Sequence, residues 1–176
     1  MAKPRLFIIT GISGSGKTTI ARHLIERGEM AFDSKINPDL YQFVDTKGNA
    51  ASPVKLNDKE WRSKYKWSLN EAKLDTLLAR NRNAKRVFLC GRANLFQYWH
   101  KADKVFLLKV DEATLRGRLN NESRDNLYAK DKPTKDKLLD SLASVQDKII
   151  SKGATIINAD KPINNVIDEI LAKAEP

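Results

Sequence analysis

One segment of eight residues constrains this chain more than any other. Gly11-Ile12-Ser13-Gly14-Ser15-Gly16-Lys17-Thr18 follows the pattern G-x-x-x-x-G-K-[ST], with the apolar run Arg5–Thr10 before it and Ile20, Ala21, Leu24 and Ile25 at helical spacing after it. Glycines let the backbone curl without side chains in the way, so that successive N–H groups can point at one anion. A helix beginning at the end of the loop adds unpaired N–H donors and the positive end of its dipole. Lys17 supplies a point charge for the β- and γ-phosphates, and Thr18 a hydroxyl for Mg²⁺. Strand, loop and helix in this order read as a site for a nucleoside triphosphate, ATP with Mg²⁺. Gly11, Ser13, Gly14, Ser15, Gly16, Lys17, Thr18 and Thr19 surround the phosphates in this reading, and Thr18 is the metal-ligating residue.

The remaining sequence repeats an alternation of apolar runs and amphipathic stretches. Strands are expected at Arg5–Thr10, Met30–Asp33, Arg86–Cys90, Lys104–Val110 and Ala154–Asn158. Helices are expected from Lys17 to Gly28, from a cap at Asn57 towards Arg80, over Asn94–His100, after Asp111, over Lys135–Ser151 and from Pro162 onward. Ile36 to Pro53, rich in Asn, Asp, Gly and Pro, has no period and reads as a loop. Such alternation implies an α/β fold, a five-stranded parallel sheet with helices on both faces. The 176 residues fit one domain.

Charge widens the choice of partners. Against 22 acidic residues stand 32 basic ones, a formal net charge of +10, which attracts phosphate in any form. The basic residues are spread along the chain, as on a solvated surface. In Trp61-Arg62-Ser63-Lys64-Tyr65-Lys66-Trp67, aromatic rings interleave with bases, a pattern that can stack nucleobases. Helical spacing instead puts Trp61 and Tyr65 on one face, as in an amphipathic helix that buries its rings. No apolar run approaches the roughly 18 residues that span a bilayer, so no membrane partner is expected. Leu6–Thr10 is too short for a secretory signal. A single cysteine, Cys90, rules out an internal disulfide framework and suits the cytoplasm.

On the loop, on VFLC ending in Gly91, on KVFLLKVDEATLRGRLNNESRDN and on ATIINADKPINNVIDEIL, the chain resembles the small P-loop kinases. That group takes in nucleoside monophosphate, shikimate and gluconate kinases and uncharacterised kinase-like AAA-type relatives. The resemblance implies a P-loop NTPase three-layer α/β/α fold with an acceptor-binding insert over about 34–80 and a mobile lid over about 116–134. It also implies transfer of the γ-phosphoryl group of Mg-ATP to a small acceptor. Arg118 and Arg124, more than Arg116, then correspond to lid arginines that stabilise the moving group, with Lys17 the loop's catalytic cation. Asp33 corresponds to a carboxylate that orients the acceptor, with Asp39 and Asp45 as competitors, and Arg92 to a group that touches the acceptor. The family usually carries a second acid two residues after Asp33; this chain has Lys35, which suits an anionic acceptor. The turn after the last strand corresponds to one that lies against the purine. A protein acting on nucleic acid, whether a polynucleotide kinase or a nucleotide-regulated RNA or DNA binder, stands as the alternative.

Overall fold

The computed structural model describes residues 4–52, 54, 55, 58–91, 95–121 and 131–175. Five parallel strands form its centre: β1 (Arg5–Thr10), β2 (Met30–Asp33), β5 (Arg86–Cys90), β6 (Lys104–Lys109) and β7 (Thr155–Asn158). They lie in the order β2-β5-β1-β6-β7, so the strand that leads into the loop is central. All five expected strands are present to within a residue at each end.

Alternate side chains of these strands feed two cores. On one face Phe7, Ile9, Phe88, Phe106 and Leu108 pack against Ile20, Ala21 and Leu24 of α1 (Lys17–Glu26) and against α7 (Ile163–Lys173). The rings of Phe7 and Phe88 stack at 5.4 Å and those of Phe7 and Phe106 at 5.9 Å, which ties the three middle strands together. On the other face Leu6, Ile8, Val87, Leu89 and Leu107 meet Leu74 and Leu78 of α3 (Glu71–Arg80) and Ile149 of α6 (Leu142–Ser151). Each such fully buried side chain contributes on the order of 2 kcal/mol. Burial on both faces is why the strands read as continuous apolar runs.

The insert departs from expectation. A 3-10 helix, Pro38–Leu40, and strand β3 (Tyr41–Val44) occupy part of the stretch expected as a loop. The long helix expected from Asn57 towards Arg80, with room for one break, is α2 (Lys59–Lys64) and α3 with a strand between them, β4 (Lys66–Leu69), that was not expected. Asn57 lies outside the described residues; the cap of α2 is Asp58, whose carboxylate accepts from the Trp61 N–H at 3.0 Å. Tyr65 is extended, so the chain leaves the helix there and pairs antiparallel with β3, Tyr41 opposite Leu69 and Phe43 opposite Trp67. Asn70 then caps α3 by accepting from the Lys73 N–H. Two four-residue strands far apart in sequence carry too little local pattern to outweigh helical spacing, and only their mutual pairing decides the matter.

Smaller differences follow the same logic. The segment after β5 is a 3-10 helix, Leu95–Lys101. The helix expected over Lys135–Ser151 breaks at Ser141 into α5 (Lys132–Asp140) and α6, with Asp131 capping α5 through the Thr134 N–H. α4 (Glu112–Asn120) follows β6, capped by Asp111. Among the described residues no helix is long and apolar enough to cross a membrane.

Candidate active site

The loop leaves the end of β1 and delivers the chain into α1 through glycines at φ 94° (Gly14) and 103° (Gly16), a region that only glycine enters without strain. A β-carbon on Gly14 would also lie 2.7 Å from Leu115 Cδ1, so α4 packs directly on the loop. The first turn of α1 holds no acidic residue to oppose an anion. Its leading N–H groups have no partner within the helix. Ser15 is buried, and Ser13, Gly14, Gly16, Lys17 and Thr18 are half-buried, with Thr19 exposed. The Lys17 ammonium bends back over the loop and donates to the carbonyls of Gly11 (2.9 Å) and Ile12 (2.8 Å).

Asp33, at the end of β2, is only 2% exposed. The Thr18 hydroxyl donates to its Oδ1 at 3.2 Å and the Lys35 N–H to the same oxygen at 2.8 Å. Its backbone N–H and C=O are both held by Asn37. A carboxylate expected near the acceptor therefore meets the hydroxyl expected on the metal. Its sequence competitors stand elsewhere. Asp45 organises a tight turn by accepting from Lys47 and Asn49, and Asp39 is exposed.

From the other side comes Arg118, on the last turn of α4. Its guanidinium donates to the Ser15 carbonyl at 3.1 Å and to the Ala159 carbonyl at 2.6 Å, joining the loop to the turn after β7. Arg116 points away and pairs with Glu112 on its own helix. Arg92 and Arg124 lie outside the described residues.

Two buried groups report the field in this region. Burial pushes the Cys90 thiol well above its ordinary value, and the Asp33 charge pushes the same way while Lys17 opposes. Burial, then Asp33, likewise raises the Tyr41 phenol. Tyr41 escaped the sequence reading because it stands in the stretch without a period. It is 6% exposed, and its ring stacks on Trp67 at 5.9 Å. A β-carbon on Gly91 would lie 3.4 Å from its Oη. Trp61 and Tyr65, expected on one helical face, stack on each other at 4.7 Å even though the helix ends between them, and Phe43 packs on both Trp61 and Trp67.

The fold is shared with solved structures. The shikimate kinase from Bacteroides thetaiotaomicron superposes with a TM-score of 0.60 and 17% identity, covering 98% of this chain and 99% of that one. A protein from Thermus thermophilus, TT1252, superposes at 0.52 with 16% identity, over 99% and 100%. A sugar kinase from Janibacter sp. HTCC2649 does so at 0.51 with 15% identity, over 96% and 93%. No curated protein sequence matches the chain. A family model described as AAA domain (AAA_18) matches residues 8–136. With that match over more than half its length and the fold of the small P-loop kinases around the loop, the chain belongs to the AAA_18 family of P-loop, kinase-like proteins.

Proposed function

We propose that this protein is a Mg²⁺-ATP-dependent phosphotransferase that moves the γ-phosphoryl group to a small acceptor, a nucleoside monophosphate or another small metabolite. The observation that carries the reading is the bond from the Thr18 hydroxyl to the Asp33 carboxylate. It joins a triphosphate-binding loop to a buried acid at the carboxyl edge of a parallel sheet, where ligands of such sheets bind.

The roles follow from position. Amides of Gly14 to Thr19 and the Lys17 ammonium clasp the phosphates, with Lys17 exchanging loop carbonyls for phosphate oxygens. Thr18 and Asp33 offer neighbouring hard oxygen donors, which fit Mg²⁺, an ion that keeps waters and phosphate oxygens as its other ligands. When bound, Mg²⁺ neutralises charge on the β- and γ-phosphates. Asp33 orients the acceptor. Arg118 ties the loop to the turn after β7, where the purine would lie, and sits close enough to stabilise charge as it develops. Arg92 and Arg124 remain proposed acceptor and lid groups on the resemblance alone. The lone, buried Cys90 thiol accords with a cytoplasmic protein. The ring pattern lends the nucleic-acid alternative less support, since Trp61 packs on Tyr65 and Phe43, and Trp67 on Phe43 and Tyr41; the net charge of +10 keeps it as the second reading.

An ADP-release screen over nucleoside monophosphates, nucleosides, sugars, polyhydroxy acids and 5′-hydroxyl oligonucleotides tests the reading, with Lys17→Ala as the control. At least one small acceptor should stimulate turnover by wild type and not by the variant. Titration of the folded protein with Mg-ATP that showed no binding would overturn the reading.

A further inference from the structure

β2 is an outer strand of the sheet and pairs with β5 alone. The free side of such a strand presents backbone N–H and C=O groups that need other partners. At Asp33, where β2 ends in an almost wholly buried residue, one residue four positions on meets both groups. The Asp33 N–H donates to Asn37 Oδ1 at 3.2 Å, and the Asn37 N–H donates to the Asp33 carbonyl at 2.7 Å. Asn37 thus grips Asp33 as a neighbouring strand would.

A more ordinary use of Asn37 is forgone. It stands at the N-cap of the 3-10 helix Pro38–Leu40, where an asparagine side chain commonly accepts from the turn it opens. Its side chain makes no such bond and reaches back to Asp33 instead. Only its carbonyl serves the helix, accepting from the Leu40 N–H at 3.1 Å. Within the turn closed by Asn37, the Lys35 N–H donates to Asp33 Oδ1 at 2.8 Å, and the Thr18 hydroxyl meets the same oxygen at 3.2 Å. Among the described residues both bonds to the carboxylate fall on Oδ1, which leaves Oδ2 for an incoming group. The far end of the turn is pinned to the insert, since the Leu40 carbonyl accepts from the Asn70 N–H at 2.8 Å.

We propose that Asn37 is a positioning residue of the acceptor site. By clamping both backbone groups of Asp33 it holds the carboxylate in the orientation that Thr18 meets, and it acts on phosphoryl transfer only through Asp33. This deepens the kinase reading and rests on it. Without the Oδ1 acceptor, the last residue of an outer strand is free to turn, and its carboxylate drifts from Thr18 while the phosphate loop keeps its shape. A shift of about 1 Å in a group that orients a reactant costs up to about a hundredfold in rate.

Wild type, Asn37→Ala, Asn37→Ser and Asn37→Asp are compared, the first two variants also on an Asp33→Asn background. Serine can cap the following turn but is too short to span to Asp33, so it carries the expectations of alanine should Asn37→Ala not fold. Asn37→Asp keeps a side-chain oxygen at the same reach. Amide hydrogen exchange, read by NMR without substrate, should speed up about tenfold or more at Asp33 in Asn37→Ala and Asn37→Ser, while the amides of β5 stay protected. With Mg-ATP and an acceptor that wild type uses, kcat should fall about tenfold at unchanged KM for ATP, and Asn37→Asp should restore most of it. On the Asp33→Asn background the same changes should alter kcat by less than about twofold, because the residue they release no longer acts. Unchanged exchange at Asp33, unchanged turnover, a loss of equal size on the Asp33→Asn background, or an Asn37→Asp variant as slow as Asn37→Ala would each overturn the assignment and leave the kinase reading standing. Failure of wild type to bind Mg-ATP, or to turn over with any acceptor, would remove the kinase reading and this role with it.

Discussion

The Thr18 hydroxyl lies 3.2 Å from the Asp33 carboxylate, although one residue opens a helix and the other ends the neighbouring strand, 15 positions on. β2 pairs with β5 and β5 with β1, and that register holds Asp33 level with Cys90 beside the loop. In the proposed reaction this hydrogen-bonded pair would couple nucleotide and acceptor.

Replacing Asp33 separates those two sides. Asp33→Asn keeps the shape and removes the charge, so nucleotide affinity should change by no more than about threefold while turnover falls by about a hundredfold or more, the usual worth of a positioned acid–base group. Titration calorimetry with Mg-ATP and steady-state ADP release read the two quantities. Thr18→Ser should retain activity, and Thr18→Ala should raise the Mg²⁺ concentration needed for half-maximal rate.

Arg118 holds two backbone carbonyls with a planar, forked donor set that lysine cannot reproduce. Arg118→Lys should therefore resemble Arg118→Ala more than wild type, raising KM for ATP by about tenfold, a step of about 1.4 kcal/mol. Arg116→Ala, which breaks only an exposed pair within its own helix, should leave KM unchanged.

Gly91→Ala should destabilise the protein through Leu95. The added β-carbon would fall 2.1 Å from Leu95 Cδ1, and Leu95 is buried with little room to turn. Overpacking of this kind costs about 1–3 kcal/mol. Urea unfolding should show it, and Leu95→Ala added to Gly91→Ala should cost less than the sum of the single changes.

Cys90 provides a pH-dependent test. Its thiol is fully buried and its folded pKa is raised, chiefly by burial. The unfolded chain ionises this thiol near its ordinary value of about 8.5, while the folded protein does not. The stability tied to Cys90 is thus fully present below that pH and is lost as pH rises toward the folded value. Cys90→Ala should flatten the fall in melting temperature between about pH 8.5 and 10. In the wild type, a thiol reagent at pH 8 should react only on unfolding.

The sheet was legible in the sequence because each of its strands is a short, mainly apolar run ending at glycine or a polar turn, and the three middle strands are buried on both faces, which demands that composition. The loop was legible because a curled backbone cannot form from other residues. Tyr41 and the hairpin were not. YQFV and KWSL are individually too short to show a period, and their strand geometry exists only because β3 and β4 pair with each other.

The division between sequence and structure is physical. Local backbone chemistry determined the phosphate loop, the helix it opens and the alternating order of strands and helices, since each depends on residues within a few positions. Only the tertiary structure decided that Asp33, and not Asp39 or Asp45, meets Thr18, that Arg118 bridges the loop to the turn after β7, and that Tyr41 stands at Gly91. Those relationships cross strands and layers, and contacts between distant segments are set by how the sheet packs, which no local pattern encodes.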